Sequence, residues 1–302
     1  MSKLLYYLLF GFLWVLNLLP LRVLYILSDL LFLIIYHLAS YRKKVTLTNL
    51  ENAFPEKSPE EIKKLCKKFY RRFSDQIIES FKVLHFTRKQ ILKRFSYVNL
   101  ELLTELYESN KSVIIITGHH ATWQWYLSLA LVTKHKILAV YQPPSFTHFS
   151  RFYDYVSKRF GVVPLPMKKI FRAMLDYKSR NELTATFILG DQSPRANGIK
   201  YWTRFLNQDT PAITGFERIA KKNNQAVVYM HIEWKRRGYY DVSFQKLSDE
   251  PMEIKDHDLT EAYFRALEKT ILNQPEFWLW THRRWKHKRQ NSDLLIPSLG
   301  IS

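Results

Sequence analysis

The stretch "ITGHHATWQWY" (116–126) sets two histidines, His119 and His120, directly after a run of β-branched apolar residues. A histidine at the end of a buried strand suits proton abstraction from a hydroxyl, because its unperturbed pKa of about 6.5 leaves a basic nitrogen at neutral pH. Gly118 permits a tight exit from the strand. A helix is predicted to start near Thr122, and its first amides would face an anion or an oxyanion at that edge, with Trp123 beside them. The helper of such a histidine is ordinarily a carboxylate, yet five residues after His119 stands an amide, Gln124. A second polar loop, "GDQSPR" (190–195), follows another apolar run and supplies Asp191. The alternatives stay open at this point: His119 as a strand cap packed on Trp123, and His120 as a packed bystander or a substitute base.

Apolar runs at 112–117, 137–141, 162–165, 184–189, 226–234 and 239–247 read as strands. Helical patterns lie between them at 100–108, 122–133, 149–161, 169–177 and 212–222. This alternation predicts an α/β fold with a mainly parallel sheet flanked by helices. Ligands of such sheets sit beyond the carboxyl ends of the strands, where both polar loops emerge.

The N-terminus predicts a membrane attachment. Residues 4–19 carry no charge and residues 23–39 carry only Asp29, with Pro20 and Arg22 between the runs. The first run would span roughly 24 Å as a helix, short of a hydrocarbon core of about 30 Å. One kinked membrane helix or a shallow hairpin is therefore expected over 1–41, followed by one domain over 42–302. A hairpin buried in a soluble core is the alternative. Arg42, Lys43 and Lys44 follow directly, which predicts the domain on the cytoplasmic face of the membrane. Next comes a marked helix: Ser58 and Glu61 form a capping box around Pro59. Ile62, Leu65, Cys66, Phe69, Phe73 and Ile77 share one face of it, and Lys63, Lys64, Lys67, Lys68, Arg71 and Arg72 the other. That basic face is either solvated or rests on anionic headgroups.

The chain of 302 residues has 46 Lys and Arg against 27 Asp and Glu, a net charge of +19 that calls for an anionic partner. Trp278, Trp280 and the run "THRRWKHKR" (281–289) fit a lipid–water interface, and Arg159 and Arg284 suit phosphate groups. Nucleic acid is disfavoured because no recognition module accompanies these residues. No metal site and no cofactor are expected: the histidines are scattered, and the single cysteine excludes an internal disulfide.

These blocks, in this order, resemble the bacterial lipid A biosynthesis (late) acyltransferases, relatives of the glycerolipid acyltransferases. The likeness rests on "RKKVTLTNLENAFPEKSPEE", "TGHHATWQW", "VYQPPSF…SKRFG", "GDQSP" and "FWLWTHRRWKHK". The resemblance implies transfer of an acyl chain from acyl carrier protein to a hydroxyl of an anionic lipid A precursor, without a cofactor. The family signature is a histidine followed, after four residues, by a glutamate. It makes His119 the base and puts Gln124 where the glutamate belongs, with Ala121 and Thr122 replacing the usual Gly-Asn. By the same resemblance, Asp191 is a candidate to orient His119 in place of the missing carboxylate, and Arg159 matches an arginine of the family. Three readings follow: an active O-acyltransferase, a weak or non-catalytic relative, and an enzyme for another acceptor such as an amino-acid-containing lipid.

Overall fold

The computed structural model describes residues 11, 12, 14–142 and 155–289. The expectations for residues 4–10 and 143–154 lie outside the described residues. Seven strands form one sheet: β1 (Phe95–Tyr97), β2 (Val113–Thr117), β3 (Lys136–Tyr141), β4 (Val163–Pro166), β5 (Thr184–Leu189), β8 (Ala226–Arg236) and β9 (Tyr239–Ser248). Their spatial order is β1-β9-β8-β2-β5-β3-β4, and only the β8–β9 neighbours run antiparallel. The mainly parallel α/β sheet read from the sequence is the one observed. Every residue of β2 is buried, as a central strand covered on both faces requires. Its side chains alternate between two cores, Val113 and Ile115 on one side and Ile114 and Ile116 on the other.

The helices that matter for the site are α1 (Leu21–Leu33), α2 (Lys43–Ala53), α3 (Pro59–Lys82) and α4 (Asp258–Asn273). The capping box of α3 forms as read, with Ser58 and Glu61 bonding reciprocally. Ile62, Leu65, Cys66 and Phe69 are buried, whereas Phe73 and Ile77 are only half-buried and line a cavity. Burial pushes the Cys66 thiol up to about 11, as befits a core residue. The apolar helix α1, which continues through a π-helical turn at Ile34–Leu38, gives Leu21, Leu24 and Tyr25 to the same core as β2.

Two details differ from the sequence reading. The segment after His120 is a 3₁₀ helix, Trp123–Leu131, without a side-chain cap. Thr122, the natural capping residue, has committed its hydroxyl elsewhere. The second difference is a small antiparallel hairpin of β6 (Trp202–Phe205) and β7 (Gln208–Pro211). Its two turn residues, Leu206 and Asn207, both adopt positive φ.

Candidate active site

The register of the sheet builds the site. β2 and β5 are parallel neighbours with Thr117 opposite Leu189. Beyond that pair the Gly190 N–H donates to the Thr117 carbonyl over 3.0 Å, and His119 and Asp191 follow two residues past the paired strand ends. The two glycines make the approach possible. A Cβ on Gly118 would stand 2.7 Å from Leu267 Cδ1 and 3.1 Å from Asp191 Oδ2. A Cβ on Gly190 would stand 2.9 Å from the Tyr263 ring.

Asp191 holds His119 at two points. The His119 backbone N–H donates to Oδ2 over 2.7 Å, and ring Nδ1 lies 2.6 Å from Oδ1. A carboxylate accepts, so Nδ1 carries the proton and Nε2 is left as the basic nitrogen. The Gln192 amide donates to that Nε2 over 3.2 Å. A third donor to Asp191 is the Trp278 indole, 2.8 Å from Oδ2. Burial alone would raise this carboxyl, but the imidazole and the donated N–H groups outweigh it and hold Asp191 down at about 2. It is therefore an anion at neutral pH.

The C-terminal segment closes over the loop. Ala121 N–H donates to the Phe277 carbonyl, Leu279 N–H donates to the His119 carbonyl, and His120 pairs with Trp278 as an antiparallel bridge. Trp278 and Trp280 are 2% and 0% exposed. This corrects the interfacial role read from their place beside the basic run: both indoles are core groups, donating to Asp191 and to the Pro275 carbonyl.

His119 and Gln124 line one cavity of about 170 Å³, walled by Phe73, Gln76, Ile77 and Ser80 of α3 and by Trp123 and Leu279. Trp123 meets the His119 ring edge-to-face at 5.3 Å. The Gln124 side-chain oxygen is buried without a hydrogen-bond partner, so the orienting hydrogen bond to the imidazole comes from Asp191. His120 is buried behind the loop against Phe277, with Nε2 3.1 Å from the Gln274 carbonyl. Burial takes its pKa down to about 4, which keeps it neutral.

Thr122 turns inward, fully buried, and donates to Glu79 of α3. The other hydroxyls on Glu79 come from Tyr25 at 2.5 Å and Tyr240 at 2.7 Å. Burial raises this carboxyl and the hydroxyls pull it part of the way back, leaving it at about 7. Arg159 caps the end of α3, donating to the carbonyls of Val83, Leu84 and Phe86. Arg284 is 0% exposed and donates to the Pro211 carbonyl over 2.8 Å. Burial takes it down to about 10, while the negative charge of Asp191 pulls the other way. Glu79, Trp278 and Gln192 were not singled out as site residues by the sequence reading. No local signal marks Glu79, because Asp75 and Lys82 stand beside it on the same face of α3. Among the described residues no group of three or more metal-ligating side chains occurs.

A mainly parallel sheet with an imidazole–carboxylate pair beside a cavity at its carboxyl edge has the chemistry of an enzyme site able to accept a proton. The sequence profile of the family described as "Bacterial lipid A biosynthesis acyltransferase" matches residues 1–287, and the chain belongs to that family; it is an acyltransferase. It is 22% identical over 287 residues to the lipid A biosynthesis palmitoleoyltransferase of Escherichia coli strain K12, covering 91% of this chain and 89% of the relative. It is 23% identical over 296 residues to the lipid A biosynthesis lauroyltransferase of the same strain, covering 95% and 92%.

Proposed function

We propose that this protein is a membrane-associated O-acyltransferase that moves a fatty acyl chain from acyl carrier protein to a hydroxyl of a lipid A precursor or a related lipid. The observation that carries the reading is the His119–Asp191 pair, which leaves Nε2 as the basic nitrogen of a histidine that lines the cavity. In the forward step the acceptor hydroxyl displaces the Gln192 amide from Nε2 and gives its proton to His119 as its oxygen attacks the thioester carbonyl. The tetrahedral intermediate collapses, the C–S bond breaks, and the departing thiolate takes the proton back from the imidazolium. Asp191, ionised and buried, stabilises that imidazolium in a low-dielectric setting. The relatives' names, which speak of lipid A biosynthesis, support the acceptor class.

A second reading, an acceptor such as an amino-acid-containing lipid, is favoured by Gln124. Its unpartnered oxygen beside the cavity offers an amide where the family signature has a carboxylate.

The test is acyl transfer by membranes holding the wild-type protein, His119→Ala or Gln124→Glu, with labelled acyl carrier protein and total lipid extract. Transfer by wild type and its loss in His119→Ala support the enzyme, and the labelled product identifies the acceptor. With Asp191 already orienting the imidazole, Gln124→Glu should change the rate by less than about tenfold. Transfer that appears only in Gln124→Glu would mean that Gln124 disables the site.

A further inference from the structure

The apolar helix α1 and the polypeptide before it are fastened to the domain along their inner side by polar groups. Lys82 Nζ donates to the carbonyls of Asn17 and Leu19 at 2.6 and 2.8 Å, and the Trp14 carbonyl lies 3.0 Å from His85 Nε2. Tyr25 donates to Glu79, and Ser28 donates to Asp75 over 2.7 Å. Arg237 bridges Asp29 and Asp75 at 2.8 and 2.6 Å. The outer side is different. Val23, Ile26, Leu30 and Leu33 recur at helical spacing and are 41, 68, 54 and 50% exposed. A helix that crossed a bilayer alone would pull Tyr25, Ser28 and Asp29 away from these partners. It would carry them into hydrocarbon and take one donor each, Ser28 and Tyr25, from the buried carboxylates of Asp75 and Glu79.

We infer that α1 does not cross the membrane but lies flat in one leaflet, its outer stripe among the acyl chains and its inner face on the domain. The stripe is bordered by cations, which fixes the partner as an anionic lipid surface. Arg22 is exposed within the helix, Arg71 lies over the Phe32 ring and Lys43 over the Tyr36 ring, and Lys44 follows on α2. Such a helix, apolar on one side and flanked by basic residues, has the form of an in-plane anchor. The placement sets the height of the site. α3 holds the anchor through Asp75, Glu79 and Lys82 and lines the cavity through Phe73, Gln76, Ile77 and Ser80. At 100° per residue these are nearly opposite faces. The cavity thus stands one helix diameter, about 10 Å, from the anchor.

This inference rests on the membrane association in the proposed function, and the test separates the two. Single cysteines replace Val23, Ile26, Leu30 and Leu33 in the full chain, with the buried Cys66 changed to Ala, and carry an environment-sensitive fluorophore. Vesicles contain phosphatidylcholine with or without phosphatidylglycerol, and a nitroxide placed high or low on the acyl chain. The expected result is quenching at all four positions, equal along the helix and several-fold stronger with the high nitroxide. Quenching should fall several-fold without phosphatidylglycerol. Depth that increases steadily from position 23 to position 33 would mean a span and overturn the inference while leaving membrane association intact. Failure of the protein to sediment with any vesicle would overturn both. Sedimentation without quenching, with crosslinks between the new cysteines of two copies, would assign the stripe to a second copy instead.

Discussion

Two buried carboxylates flank the same short loop and are shifted in opposite directions. Asp191 grips it at His119 and Glu79 grips it at Thr122, three residues on. Both lie in the interior, so burial penalises the charge of each equally in kind. Asp191 is surrounded by N–H donors and an imidazole that can become positive, and it stays ionised far below neutral pH. Glu79 is surrounded by hydroxyls, which stabilise an anion less than a cation does, and its second acidic neighbour Asp75 adds to the burial penalty. The lesson is that donor type, more than donor number, decides which buried carboxylate stays charged at neutral pH.

The comparison breaks most visibly in Asp191→Asn. An amide can hold the wrong imidazole tautomer, and kcat for acyl transfer should fall by about 10³ to 10⁴-fold. Melting curves of the variant would show whether it remains folded. Glu79→Ala leaves three buried hydroxyls without their acceptor and opens a cavity, so urea denaturation should show a loss of about 3–5 kcal/mol.

The pH dependence sharpens the contrast because the two signs are opposed. Glu79 titrates at about 7 in the folded chain against an ordinary value of 4.5. The native state therefore holds its proton longer, and its contribution of about 3 kcal/mol, complete below pH 4.5, disappears as pH rises to 7. Glu79→Gln should flatten that slope. Asp191 titrates near 2 against 3.8. Its contribution of about 2 kcal/mol is present above pH 4 and disappears as pH falls towards 2. Asp191→Asn should remove that acid limb and leave the neutral one. Trp278→Phe removes one donor to Asp191 and should slow transfer by about tenfold, the equivalent of one hydrogen bond to a charged group. The smallest effect is expected at Ala121, which adopts φ +52 yet is 1% exposed. Glycine there relieves the strain of the left-handed backbone but removes a packed methyl group. The two offset, and the melting temperature of Ala121→Gly should match wild type within the equivalent of about 0.5 kcal/mol.

The parts of this comparison differ in how much the sequence disclosed. His119 and Asp191 were both legible because each follows a short apolar run, and strand ends are where an α/β sheet binds ligands. Their pairing needed the register of β2 and β5, which no local pattern specifies. Glu79 and Trp278 were not legible as site residues for the same reason. Their partners lie 43 and 87 positions away, and a helix periodicity or a basic run describes only near neighbours. The hairpin of β6 and β7 escaped because its turn is Leu206-Asn207, where turns with two positive φ values ordinarily announce themselves with Asn-Gly or Asp-Gly. The apolar character of α1 was plain, but its polar inner face reads as interruptions until Asp75, Glu79 and Arg237 are set against it.

The strap formed by Phe277, Trp278 and Leu279 has a consequence for the order of synthesis. His119 and Asp191 leave the ribosome well before the residues that fix their loop. A nascent chain halted short of Trp278 carries His119 and Asp191 but lacks the backbone bridge at His120 and the third donor to Asp191. Translation thus works as a timer: the loop is fastened only once Trp278 has emerged, long after α1 has had time to find its place.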